Sequence, residues 1–316
     1  SAILGFIGLP TLGFHLETAF REGLYTEAPA LLYAFYLLIA SLRWWVRPRL
    51  VPIYIAVSFA LISTDVHLSW DNIRRFLTYE ILPWPMRSDG YYAGTGEVVF
   101  DLMEIGRWGW NLTATEVVPG VWNTILLTQI ALVGTGVFTL LVFPSICRHF
   151  NGRLGRALSH YGLIVLRTTP EYILAYALLQ LWGPSMLPAV VAILLHNGAI
   201  LSHLTGGHAN TLNLRVDRPQ RRSDRYLFEV LPRVYGPFLA FLFYRWEVMM
   251  RESAILGILG IRTLGFFIDS AIAEDAIDKA VFLIGATALL NVGIDTISQI
   301  IRRRLRVRPG TVFTYD

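Results

Sequence analysis

The chain has little charge for its length and almost no cysteine. Asp, Glu, Lys and Arg make up 16% of its 316 residues, where soluble domains carry about 25%. Two long runs, residues 117–146 and 172–202, hold no charged side chain at all. Each exceeds the ~20 apolar residues needed to cross the hydrocarbon core of a bilayer, which excludes an ordinary soluble domain. The single cysteine, Cys147, excludes an internal disulfide and a cysteine metal cluster. No secretory signal opens the chain, which starts at Ser1 within an apolar segment; that start reads as a fragment or a processed chain.

What is present is apolar surface: 54% of the residues are hydrophobic and the mean hydropathy is +0.50. Backbone in lipid must satisfy its own hydrogen bonds, and the uncharged runs are too long for barrel strands, so the expected fold is an all-α polytopic transmembrane bundle. The net charge is +4, and four arginine clusters stand out: Arg43, Arg47 and Arg49; Arg148, Arg153 and Arg156; residues 215–225; and residues 302–308. Each group follows an apolar run, which reads as anchoring on the cytoplasmic side of a membrane rather than as nucleic-acid binding.

One internal repeat stands out. Residues 1–14 and 253–266 share ten of fourteen positions at a fixed offset of 252. Gly5, Gly8, Thr11 and Gly13 match Gly257, Gly260, Thr263 and Gly265, and Glu17 and Glu22 match Asp269 and Glu274. Each copy precedes an apolar stretch ending in arginines, residues 27–42 and 279–301, so both copies read in one orientation. A full unit fits between residues 50 and 301, and the repeat leads us to expect about 200 further residues upstream of Ser1.

Following the arginines gives a topology. Residues 50–64 leave the cytoplasm, 67–119 form an external stretch, and 121–143 return. A helix over 158–182 goes out and 186–204 comes back. Residues 206–229 form a cytoplasmic loop, 234–249 go out, 253–273 stay near the outer side, and the last helix returns, leaving the C-terminus cytoplasmic.

Several ionisable residues lie at membrane depth, where they face a bundle interior or an aqueous cavity. Glu171 follows Pro170, which kinks a helix; the carboxylate either caps the new helix start or serves as a gate beside Arg167. Glu247 and Arg251 are spaced i,i+4 and can pair, and Arg251 is also a donor for an anion at the outer mouth. His196 and Asn197 sit among small residues and read as interhelical hydrogen bonders. His203 and His208 are five apart, which does not place two ligands on one helix face, and no metal site is expected. Thr11, Gly13, Gly260, Thr263 and Gly265 either pack helices closely or form a constriction at the outer pore.

The segments Arg167-Thr168-Thr169-Pro170-Glu171, Leu181-Trp182-Gly183-Pro184, Leu195-His196-Asn197-Gly198, Val230-Leu231-Pro232, Tyr244-Arg245-Trp246-Glu247 and Ser253-Ala254-Ile255-Leu256-Gly257 together resemble the permease of a phosphonate-type ABC importer. The resemblance covers about residues 117–301, and the first 45 residues resemble the end of a preceding, fused unit. It implies residues 1–49 as the tail of a first unit, 50–119 as a helix and external stretch, 120–301 as the permease core and 302–316 as a cytoplasmic tail. It also implies a non-enzymatic pore without cofactor, in the bacterial inner membrane. The partners implied are ABC ATPase subunits, a periplasmic binding protein that delivers an oxyanion, and lipid. The ion-coupled secondary transporter is the alternative reading. The cytoplasmic loop departs from the family pattern: Leu231-Pro232 is present, but the acidic-Ala-Ala stretch and the glycine before it are missing. It reads either as a plain basic loop or as a diverged ATPase-docking helix using Ser223, Asp224, Arg225 and Tyr226.

Overall fold

A computed structural model describes residues 11–24, 26–61, 69–87, 101–183, 185–215 and 221–304. Residues 1–10, which hold most of the first repeat copy, lie outside the described residues, as do 88–100, 216–220 and 305–316. The described residues are helical, with no strand among them. The chain divides into two compact units, residues 1–79 and 80–316.

In the first unit, α1 (Leu12–Arg21) packs against α2 (Glu27–Trp45). A 3-10 turn at Pro48–Leu50 leads into α3 (Val51–Leu61), and α4 (Trp70–Arg75) follows. α3 is apolar all round and buries no residue within the chain. Such a surface belongs in lipid or against another apolar partner.

In the second unit, α5 (Leu102–Leu112) runs through a π-helical turn at Thr113–Val117 into α6 (Val118–Val142), and a 3-10 turn ends it at Phe143–Ile146. The expected external stretch 67–119 is thus helical from Leu102 onward. The turn at the end of α6 contains Pro144, which cannot continue the helical hydrogen bonds. α7 (Arg153–Thr168) and α8 (Glu171–Trp182) follow. The single helix expected over 158–182 is instead broken, with the two parts bent by 92°. Pro170 lacks an N–H and drives Thr169 to extended backbone, where it is found at φ −70° and ψ 119°. Gly183 ends α8 at φ 79°, a left-handed position that glycine takes without strain.

α9 (Met186–Thr211) is the central helix and packs against α6, α7, α8 and α10 (Leu231–Ile255). Its small residues permit this: a Cβ on Gly198 would meet the Phe138 ring at 2.5 Å, and such contacts let helices approach closely. The first turns of the expected loop 206–229 belong to α9, and residues 222–230 are already helical, in Arg222–Asp224 and the π-helical Arg225–Val230 that lead into α10. α11 (Leu264–Ala273) and α12 (Ile277–Arg304) complete the unit, and α12 packs on α10 and α11.

Among the described residues, four helical stretches are long and apolar enough to cross a membrane: Leu102–Ile146, Met186–Thr211, Arg222–Ile255 and Ile277–Arg304; the bent α7–α8 pair is a fifth if it counts as one span. The chain is therefore an all-α, multi-pass membrane bundle. α9 buries over half of its apolar window within the chain and α12 only 17%, so α12 turns most of its apolar surface outward.

Candidate functional site

Near the middle of α9, five polar side chains from three helices meet. Asn197 is fully buried. Its amide oxygen accepts from Arg245 Nε of α10 at 2.6 Å, and its Nδ2 donates to Glu252 Oε2 at 2.9 Å. Arg245 also reaches Glu252 Oε1 at 3.2 Å. Glu252, Glu171 and His196 present ligand-type atoms within 4.8 Å of one another. Arg245 balances one of the two carboxylates, and His196 stands against the other with its Nε2 3.8 Å from Glu171 Oε2.

The helix break builds part of this arrangement. The break turns the Thr169 carbonyl toward α9, and His196 Nδ1 lies 2.9 Å from that oxygen. A carbonyl only accepts, so Nδ1 carries a proton at this contact and Nε2 faces Glu171. The 3.8 Å gap is too long for a direct hydrogen bond.

Of the residues singled out in the sequence, Glu171, His196 and Asn197 come together here. Arg245 entered the sequence reading only within the segment Tyr244-Arg245-Trp246-Glu247, and Glu252 did not enter it. Their i,i+7 spacing places both on one face of α10, a signal hidden by the nearer Glu247–Arg251 pair. That pair forms as expected, at 2.7 Å, but away from the five-residue cluster. Glu247 also lies 4.0 Å from Arg302 of α12, which lies 4.0 Å from Asp295. The expected topology put Glu247 at the outer end of its helix and Arg302 in the cytoplasm. Two residues 4.0 Å apart cannot stand on opposite sides of ~30 Å of hydrocarbon, so those two assignments cannot both hold.

The second repeat copy is tightly packed. A Cβ on Gly265 would lie 1.8 Å from the Ala254 carbonyl oxygen, and one on Gly257 would lie 2.1 Å from the Phe266 nitrogen. Thr263 is fully buried, and the N–H of Leu264 donates to Thr124 Oγ1 at 3.2 Å, which satisfies an otherwise orphan donor at the start of α11. Gly260 is exposed in a left-handed turn at φ 80°. In the first unit, Thr11 stands just before α1, its carbonyl accepting from the His15 N–H, and Gly13 is buried within α1.

At the start of the approach to α10, Ser223 is exposed and donates to Asp224 at 3.1 Å. Arg225 and Tyr226 turn inward: Arg225 Nη1 donates to the His149 carbonyl and the Tyr226 hydroxyl to the Leu140 carbonyl, each at 2.8 Å. Tyr226 also packs against Phe143 and Phe150.

These features define a polytopic helical membrane protein with a charged, hydrogen-bonded cluster inside its bundle. No family model matches the chain, and no curated protein matches it. Among solved structures, a chain described as "Crystal structure of an amino acid ABC transporter with histidines" is similar at a TM-score of 0.49 and 15% identity, over 65% of this chain and 99% of that one.

Proposed function

We propose that this chain is the membrane permease of an ATP-driven ABC importer, a non-enzymatic pathway for a small phosphonate-like oxyanion. One observation carries the reading. Three sequence segments that resemble the phosphonate-type permease, 167–171, 195–198 and 244–247, are far apart in the chain, and Glu171, His196 and Arg245 from them meet in one half-buried cluster around the buried Asn197. Charged groups at membrane depth are costly and mark ion or substrate paths. On this reading ATP hydrolysis resides on separate ATPase subunits, a periplasmic binding protein delivers the substrate, and the membrane is a bacterial inner membrane. Ser223 and Asp224, with the exposed Leu227 and Phe228 beside them, offer the ATPase contact, while Arg225 and Tyr226 hold that segment to the bundle. On this reading Gly260, Thr263 and Gly265 belong to the outer mouth, with Arg251 as an anion donor.

The test is reconstitution of the full transporter in proteoliposomes with its co-expressed ATPase. Phosphonate uptake that requires ATP, together with cross-linking of the ATPase to Ser223→Cys, is the expected result. Uptake indifferent to ATP and the ATPase would remove the proposal.

The Glu171–His196 pair at a broken span favours a second reading, an ion-coupled secondary transporter, since coupling carboxylates and discontinuous helices serve such proteins. Uptake driven by a pH gradient alone, and lost in Glu171→Gln, is its signature.

A further inference from the structure

Where α6 and α9 end, a cavity of about 350 Å³ opens between α7 and α9. Arg153, Arg156 and His160 line it from α7, and His203 and Asn210 from α9; no lining residue is acidic. The His160 and His203 rings stand 5.0 Å apart. Arg156 Nε is buried with no hydrogen-bond partner, an arrangement that leaves a charged donor unsatisfied inside protein. Asn210 is fixed in place, its oxygen accepting from the Arg148 N–H at 2.8 Å.

The same helix carries a second surface. Leu154, Leu158, Tyr161 and Val165 recur at helical spacing on α7 and are all exposed. An apolar stripe of this kind on a membrane-protein helix faces acyl chains. α7 thus presents apolar side chains to lipid and, around its circumference, two arginines and a histidine to a concave pocket near the ends of two crossing helices. Basic pockets between membrane helices at headgroup level are built to take anionic headgroups.

We propose that this pocket binds the phosphate of an anionic phospholipid, with Arg153 and Arg156 as the charged donors, His160 and His203 as ring donors, and the acyl chains lying along the Leu154–Val165 stripe. A freely diffusing phosphate has the same headgroup chemistry but no use for the stripe, and this decides for lipid. The proposal rests on the chain spanning a membrane and not on what the chain transports, so the test involves neither ATP nor uptake.

The purified full chain in detergent is titrated with phosphatidylglycerol and, separately, with phosphatidylcholine, and bound lipid is read by native mass spectrometry. The expected result is preferential retention of phosphatidylglycerol, weakened roughly fivefold by each of Arg153→Gln and Arg156→Gln, since one arginine near a membrane surface contributes about that factor. Arg222→Gln, at an exposed position outside the pocket, leaves retention unchanged. Arg153 is itself exposed, so its variant keeps the fold even if the Arg156 variant does not. Equal retention of the two lipids, or equal phosphatidylglycerol retention in wild type and Arg153→Gln, overturns the site. Displacement of phosphatidylglycerol by equimolar inorganic phosphate overturns the lipid assignment in favour of a free anion.

Discussion

Arg245 and Glu252 lie seven residues apart on α10, yet their side chains close to 3.2 Å, and Asn197 of α9 bonds to both. The rise between them is about 10 Å along the axis, so both chains extend toward each other across two turns and Asn197 fills the space between. The pair therefore joins α10 to α9 as well as to itself. Removing one partner of a buried ion pair costs about 3–5 kcal/mol, because the other charge is left uncompensated. Arg245→Met is expected to lower the thermal midpoint of the detergent-solubilised protein sharply, and adding Glu252→Met is expected to recover most of the loss. Intrinsic fluorescence on heating reads both. A single variant as stable as wild type, or a double variant no better than the single, would show that the pair is not buried together.

The glycines of the second repeat copy separate into two kinds. A methyl group on Gly265 would sit 1.8 Å from the Ala254 carbonyl oxygen, whereas one on Gly260 meets nothing within 4 Å. Gly265→Ala requires the backbones of α10 and α11 to part, and we expect little monodisperse protein by size exclusion. Gly260→Ala meets only the left-handed backbone penalty, about 1–2 kcal/mol, and we expect near-normal yield. Equal yields would mean that the α10–α11 contact is looser than described. Loss of folding in Gly265→Ala also means that this position cannot report on a pore constriction, while Gly260 can.

Uncharged runs made the helices legible because hydrogen bonding in lipid leaves the backbone few options. The stretches expected at 186–204 and 234–249 appear as Met186–Thr211 and Leu231–Ile255, extended at their ends. What the sequence hid was angular. Pro170 announces a kink but not its 92° size, nor that His196 of α9 meets the Thr169 carbonyl at the break. The cluster was half legible for the same reason. Glu171, His196 and Asn197 each looked unusual alone, but Glu252 stands beside Arg251 and reads as an ordinary helix-end charge until α9 is placed against α10. Arginine counting misplaced Arg302 relative to Glu247, because it assumes that each helix crosses the full bilayer.

Cys147 should be chemically silent. It is fully buried beyond the end of α6, with Sγ 3.2 Å from the Phe143 carbonyl oxygen. Burial pushes its thiol up to about 12, so at pH 8 it stays protonated, and the thiolate is the reactive form. A maleimide applied to the folded protein at pH 8 is expected to leave Cys147 unmodified and to label it once detergent denaturation opens the bundle. Intact-protein mass spectrometry distinguishes the two. Rapid labelling without denaturant would place Cys147 at the surface.

The same silence makes cysteine pairs usable for the last question, how α12 crosses α10. Ser298 Oγ donates to the Phe243 carbonyl at 2.8 Å, and one turn further Arg302 reaches Glu247 at 4.0 Å. Residue numbers rise together along both helices at this contact, whereas two helices that alternate fully across a membrane would run in opposite senses. The guanidinium of Arg302 also lies over the Tyr244 ring at 5.6 Å, within the range of a cation–π contact, so three separate contacts fix the register. Glu247→Cys with Arg302→Cys is expected to be joined by a short bismaleimide in membranes, and each single cysteine is expected to react with a membrane-impermeant maleimide from the same side. Labelling from opposite sides with no cross-link would restore the simple alternating topology and set aside the α10–α12 crossing.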